Sequence, residues 1–459
     1  MRVPRAQALS HWHAQLGSPA PRPPLPGPRE ADVCIVGAGY TGLWLAYELG
    51  RADPSLDVVV LEAETAGFGA SGRNGGWASG SLAGSRAQWA ARAGREGVQA
   101  LELAIRDTVD ELGAVVERER IECDFVKGGS LDVAQSPLEL RRLERRIAED
   151  REWDVGPEHS ALLGATEARE RVDVHDIRGA YYTPHCARVQ PAALAHGLAA
   201  ACERAGATIH EGTRVTRIEP GVAHTTLGPV RARFVVRATE GYTCDLAGMR
   251  RALLPLNSSM IVTEPLSAET WERVGLRQAE TLVDSRHRYV YLQRTADGRV
   301  AIGGRGVPYR AGSRTDRERP VPERTVRQLH ARLVELMPAL GGVRVDAAWH
   351  GVFGVSRDWA PSVGLDRRSG LGWAGGYVGE GVAAANLAGR TLRDLLLDRA
   401  TDLTRLPWCR APARPWEPEP LRFAGVRAVH GLYCLADWRE GRTGRSSLAA
   451  RAAVLLAGR

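Results

Sequence analysis

The chain has 459 residues, 44% of them hydrophobic, which is enough to bury a large core and long enough for two or three domains. Its formal net charge of +7 comes from basic residues interleaved with acids, as in RRLERRIAEDRE, which argues against a nucleic-acid partner. No apolar run reaches the roughly eighteen residues of a membrane span and the first residues lack a signal-peptide core, so a cytoplasmic protein with no membrane span is expected.

A Pro-rich arm (residues 1–29) comes first and is expected to run along the surface as extended chain or a loose helix around Trp12. From Ala31 the text ADVCIVGAGYTGLWLAYELGRADPSLDVVVLEAE reads as one βαβ unit. An apolar run (Val33 to Val36) leads to glycines, a helix spans Thr41 to Leu49, and a second apolar run (Val58 to Leu61) ends at Glu62. Gly37, Gly39 and Gly42 form G-x-G-x-x-G: a tight turn, a close backbone approach to a pyrophosphate, and close packing of helix on strand. Glu62, at the end of the second strand, is placed to accept hydrogen bonds from ribose hydroxyls.

The following loop, AGFGASGRNGGWASGS (Ala66 to Ser81), offers backbone amides for a phosphate or a planar ring; the alternative is a flexible linker, which needs neither Arg73, Asn74 nor Trp77. Helices are predicted over Gln99 to Leu112 and Pro137 to Asp150, with CDFVKGGSLDVA (Cys123 to Ala134) as a hairpin between them. A helix over Pro191 to Ala205 leads to a strand over Arg233 to Arg237 that ends in ATEGYT. Leu253 to Gly306 is strand-rich, Pro322 to Met337 is helical, and GGYVGEG is a glycine turn before a helix over Val382 to Leu397. The tail from Leu406 carries proline and tryptophan and then a helical pattern, read as a surface layer. Seven scattered cysteines with no C-x-x-C pair exclude a disulfide framework and a zinc site, so reduced thiols and no metal are expected.

Taken together, IVGAGYTGL, GASGRNGG, YYTPHCARVQPAALAHGLAAACERAGATIHEGTRV, RATEGYT, TADGRVAIGGRG, WHGVFGVSRDWAPSVG and GGYVGEGVAAANLAGRTL resemble the D-amino-acid oxidase superfamily of flavoenzymes. The similarity is greatest to the branch with glycine, sarcosine and γ-glutamylputrescine oxidases. It implies an α/β fold, α+β overall: a Rossmann-like, glutathione-reductase-like FAD-binding domain with an interleaved antiparallel-sheet substrate domain. The implied division is 30–88, 178–248 and 346–405 for FAD, 89–177 and 249–345 for the substrate sheet, and 406–459 for a helical tail.

The cofactor-binding set so implied is Gly37, Gly39, Tyr40, Thr41 and Gly42, then Glu62 and Ala63, then Gly69, Ala70, Ser71, Arg73, Asn74, Gly75 and Gly76. Val215 (at the adenine), Ala238 and Thr239 follow, and then Gly376, Tyr377, Gly379, Glu380, Gly381 and Val382. The last group is the helix N-terminus that stabilises negative charge on reduced flavin. Relatives that tether FAD use a histidine in the loop after the second strand or a cysteine in the later flavin-facing stretch. This chain has neither there, so non-covalent FAD is expected.

Flavin amine oxidation takes hydride from the carbon next to a neutral amine, passes it to N5 and leaves an imine that water hydrolyses. In amino-acid-oxidising relatives the segment matching WHGVFGVSRDWAPSVG carries an arginine that pairs with the substrate carboxylate. Here that column holds Phe353, which packs on alkyl groups or faces a cationic amine; the alternative is a plain core aromatic. The lysine that sarcosine-oxidase-like members place above the flavin falls on Ala301, and the only lysine is Lys127. Another cation (Arg305, Arg73 or His350) then serves O2, or a different electron acceptor does.

The catalytic candidates are Phe353, Tyr291, His350 and Arg305; Tyr291 reads equally as a core residue of its strand, and a lone strand histidine such as His350 is more often structural than a proton carrier. The expected activity is FAD-dependent oxidation of a small-molecule amine without an adjacent carboxylate, such as a γ-glutamylated polyamine. The alternatives are an amino-acid or N-methyl-amino-acid oxidase using another arginine, and a non-catalytic flavin-binding protein.

Overall fold

Two eight-stranded sheets divide the chain, and the first is built on the predicted βαβ unit. The computed structural model describes residues 9–17, 19–304, 309–315 and 320–458. The strand Arg29–Val36 lies at the centre of the first sheet and pairs in parallel with Val58–Leu61 on one side and Gly228–Arg237 on the other. Thr208–His210 and Leu371–Gly375 extend it in parallel, and Ser362–Asp366 closes one edge antiparallel. Val58 to Leu61 are all buried because the sheet is covered on both faces, which explains their unbroken apolar run. Ile35, Val58 and Val60 face the helices Tyr40–Ala52, Pro191–Arg204 and Gly381–Leu396, whereas Cys34, Val36 and Val59 face Leu25 and Ala223.

The second sheet runs, edge to edge, Val345–Val355, Leu254–Thr263, Val300–Gly304, Val290–Arg294, Thr281–Asp284, Ser130–Ala134, Gly179–Thr183 and Ala161–Gly164. All neighbours are antiparallel except Thr281–Asp284 with Ser130–Ala134. Ile261, Leu282, Leu292 and Ile302 bury one face against the helix Glu323–Leu336, close to its predicted span. The mixed α/β architecture agrees with the fold class expected above.

Several expectations are corrected. Cys123 to Ala134 is not a hairpin: Ser130–Ala134 pairs with Thr281–Asp284 and Gly179–Thr183, partners too distant in the chain for a local pattern to reveal. Gly179–Thr183 and Val345–Val355 belong to the second sheet although the boundaries drawn at 177 and 345 gave them to the FAD segments. Boundaries drawn from text changes cannot register hydrogen-bond partners. The helix expected from Gln99 runs instead from Arg86 to Arg118, kinked at Gly94.

Nor is the arm superficial. Ser10 caps a short helix, His11–Leu16, and Trp12 is 2% exposed, packed edge-on against Trp349 at 5.9 Å. Its indole donates to the Asn74 carbonyl (3.0 Å), and Gln190 donates to its own carbonyl (2.9 Å). The tail, too, is anchored inward. Trp408 and Trp416 are buried, the Trp416 indole donates to the Val355 carbonyl (2.7 Å), and Asp437 of the helix Leu421–Thr443 accepts the backbone N–H groups of His287 and Arg288.

Candidate active site

The site begins at the turn after the central strand. Gly37 has φ +107°, and a Cβ there would lie 2.8 Å from the Ala238 carbonyl oxygen, so only glycine lets the chain pass this neighbour. At Gly42 an added Cβ would fall 2.0 Å from the Gly37 carbonyl oxygen, so the helix Tyr40–Ala52 can start directly against the turn. The first amides of that helix open onto a cavity, where the macrodipole favours an anion. Ser71 accepts the Tyr40 N–H at 2.8 Å, tying the glycine-rich loop to the helix start.

Glu62 lies across the turn. Its carboxylate accepts the N–H groups of Ala38 (2.8 Å) and Glu64 (3.0 Å); burial raises its pKa, and these donors pull the other way. Gly37, Gly39, Tyr40, Thr41, Glu62, Ala63, Gly69, Ala70, Ser71 and Asn74 share one cavity wall with Val215, Ala238, Thr239, Tyr377, Gly379, Gly381 and Val382. Segments far apart in the chain thus enclose a single elongated space. The Thr41 and Tyr377 hydroxyls meet across it at 3.0 Å.

The remaining residues of the expected set stand behind this wall. Gly42 packs helix on turn, as above. Arg73 is buried with its guanidinium over the Phe68 ring, 4.7 Å from the centroid, and donates to the Tyr242 hydroxyl at 2.5 Å. Gly75 and Gly76 pass under Tyr291 and Gln293, Gly376 donates its N–H to Glu240 at 3.0 Å, and Glu380 precedes the helix Gly381–Leu396.

Of the four catalytic candidates, Phe353 lines the cavity, beside Val352, Tyr242 and Tyr377. Tyr291 sits behind the loop, edge-on to Trp77 at 5.9 Å and 3.2 Å from the Ser258 hydroxyl. His350 is buried with Nδ1 3.1 Å from the Ser259 hydroxyl on the neighbouring strand, away from the wall. Arg305 lies outside the described residues.

Glu240 was missed by sequence reasoning. It has φ +43°, lines the cavity, and its carboxylate collects the N–H groups of Gly354 (2.6 Å), Gly376 (3.0 Å) and Tyr377 (2.9 Å). Burial pushes its carboxyl up to about 7 against the pull of these donors and of Arg237, while burial also draws the Arg237 guanidinium down to about 10. One side chain thereby fastens the backbone next to Phe353 to the glycine turn before the last helix. The only signal was an acid in ATEGYT, just after a buried strand.

A parallel sheet with a glycine turn, an anion-ready helix start, an acid ending the second strand and a second sheet over the cavity defines a dinucleotide-dependent oxidoreductase. Residues 32–395 match the family model described as DAO, FAD dependent oxidoreductase. The chain is 32% identical over 394 residues to gamma-glutamylputrescine oxidoreductase of Escherichia coli (strain K12), covering 84% of this chain and 88% of that one. Glycine oxidase of Geobacillus kaustophilus is 25% identical over 391 residues, covering 82% and 96%. The crystal structure of glycine oxidase from Geobacillus kaustophilus superposes with a TM-score of 0.70 at 24% identity, covering 83% of this chain and 99% of that one.

The chain belongs to the DAO family of FAD-dependent oxidoreductases. Its cofactor is FAD, and the glycine cradle and helix start fit such a dinucleotide. Among the described residues no helix is long and apolar enough to cross a membrane, and no group of side chains could hold a metal ion.

Proposed function

We propose that this enzyme oxidises a primary or secondary amine that has no free carboxylate beside the amine, such as an acylated polyamine. One observation carries this reading: Phe353 lies on the cavity wall with Val352, Tyr242 and Tyr377, and Arg214, the one arginine among the described residues of that wall, is paired with Glu64 at 2.6 Å. A substrate carboxylate there would be desolvated without a bidentate partner, whereas an aromatic wall suits a neutral amine and its alkyl neighbours. The gamma-glutamylputrescine oxidoreductase relative supports an amine substrate.

In this reading Gly37, Gly39 and the amides of Tyr40 and Thr41 would hold the pyrophosphate, Glu62 would accept from a ribose, and the start of the Gly381–Leu396 helix would stabilise negative charge on the flavin. FAD, when bound, supplies the acceptor for the hydride leaving the carbon next to nitrogen. The chain's own residues orient that carbon and exclude water, and the imine is hydrolysed after it leaves. Ala301, fully buried with Trp12, Met260 and Trp349, offers no cation for oxygen, and Lys127 is engaged with Asp110, so the electron acceptor is O2 served by another group or a different oxidant. Among the described residues no cysteine is in a disulfide, which suits a cytoplasmic setting.

Anaerobic flavin bleaching across γ-glutamylputrescine, simple amines, glycine, sarcosine and D-amino acids tests the reading, run on the parent and on Phe353→Arg. The parent bleaches fastest with the amines, and the variant gains at least about tenfold in its preference for glycine or sarcosine over them. Amino acids bleaching the parent far faster than any amine would establish the amino-acid oxidase alternative instead.

A further inference from the structure

A second cavity, of about 260 Å³, is lined by Leu256, the residue paired across the strands with Phe353. Leu256, Trp359, Trp416, Val426 and Val429 contribute to its wall. Phe353 packs in the same apolar cluster as Leu254, Leu256, Trp416 and Val426, and Leu256 is its direct partner across the two strands. Phe353 thus lines the cofactor cavity and, without lining the chamber itself, packs in one cluster with residues that wall the chamber.

Several polar groups around the chamber are engaged within the protein, whereas the Nε atoms of Arg288 and Arg422 on its wall have no hydrogen-bond partner among the described residues. Arg357 Nε donates to both carboxylate oxygens of Glu417 (3.0 and 3.1 Å), the Trp359 indole to the Ala457 carbonyl (3.0 Å), and the Trp416 indole to the Val355 carbonyl. Much of what they leave to a ligand is aliphatic and aromatic surface. Trp416, Val426 and Val429 also lie beyond residue 395, where the family match ends, so this wall is supplied by the tail rather than by the shared catalytic scaffold.

We propose that this chamber binds the apolar part of the substrate, an alkyl or aryl chain, while the amine end of the same molecule lies beside Phe353 in the cofactor cavity. The proposal rests on the amine reading above and narrows it from polar acylated polyamines to amines with an apolar chain. The tail helix Leu421–Thr443 then acts as the specificity wall of the enzyme.

Gly425 gives the test, since it lines the chamber and a Cβ added there meets nothing within 4 Å. Gly425→Leu places bulk in open space and improves helix propensity, so folding is not threatened. Val429→Phe is a second filling variant. The FAD-loaded full chain is bleached anaerobically with n-alkylamines from propylamine to decylamine.

In the parent, kcat/KM rises roughly threefold to fourfold per methylene until the chamber is full. In the filled variants the decylamine-to-propylamine ratio falls at least tenfold, or about 1.4 kcal/mol. Binding of n-alkanols, followed by tryptophan fluorescence, reads the chamber without turnover. If amines bleach the flavin with no dependence on chain length, or if both variants keep the parent ratio, the chamber proposal falls and the amine reading stands. If no amine bleaches it while alkanol binding grows with chain length in the parent and is lost in Gly425→Leu, the amine reading falls and the chamber stands.

Discussion

At Glu240 three backbone donors from two distant segments meet one carboxylate, and burial opposes its charge. With a folded pKa of about 7 against an ordinary 4.5, the folded chain keeps a proton that the unfolded chain has released between those values. This group's contribution to stability is therefore fully present below about 4.5 and is lost as pH rises through about 7. Arg237 and Tyr377 face the same carboxylate, Arg237 drawing its pKa down. In thermal melts from pH 4.5 to 8, Glu240→Gln should lack this downward slope; matching pH profiles for parent and variant would refute the assignment. ATEGYT showed that an acid was present, but the donors at 354, 376 and 377 that define its role converge only in the fold. Phe353, by contrast, was legible because a short glycine-punctuated segment fixes its register.

The elements were legible where the determinant is local. Val58 to Leu61 announced a strand by its unbroken apolar run, and the glycine turn with its helix followed from spacing. The Cys123 to Ala134 segment misled because Ser130–Ala134 finds its partners at 179–183 and 281–284. The burial of Trp12 in the short helix His11–Leu16 was the greater surprise, since the text allowed a loose helix there but nothing in a Pro-rich arm signals packing against Trp349. That contact places an N-terminal segment under the strand carrying Phe353 and against the loop that carries Asn74. Trp12→Ala should cost about 3–5 kcal/mol, read as a lowered urea midpoint. A midpoint unchanged within error would mean that the helix is a surface appendage.

At the scale of the molecule, the cofactor cavity is enclosed by both sheets, and among its described lining residues there is no cysteine or histidine to tether a flavin. Denaturation followed by spin filtration should therefore carry all yellow colour into the filtrate; colour retained with the protein would contradict non-covalent binding. The order of segments was readable from the text because each carries its own motif. The membership of Gly179–Thr183 and Val345–Val355 in the second sheet was not, because sheet membership is settled by pairing alone.

The central position of Arg29–Val36 has a consequence for how the protein is made. Its first neighbour, Val58–Leu61, leaves the ribosome soon after it, but its other neighbour is Gly228–Arg237, and the helix Gly381–Leu396 that covers Tyr40–Ala52 comes later still. At about 5–20 residues per second, the nascent strand waits roughly ten to forty seconds with one edge bare and its apolar face uncovered. FAD thus meets its complete cradle only after the Gly381–Leu396 segment has been made. A strand edge left bare for that interval is open to pairing with other chains, a hazard that the stability of the finished fold does not remove.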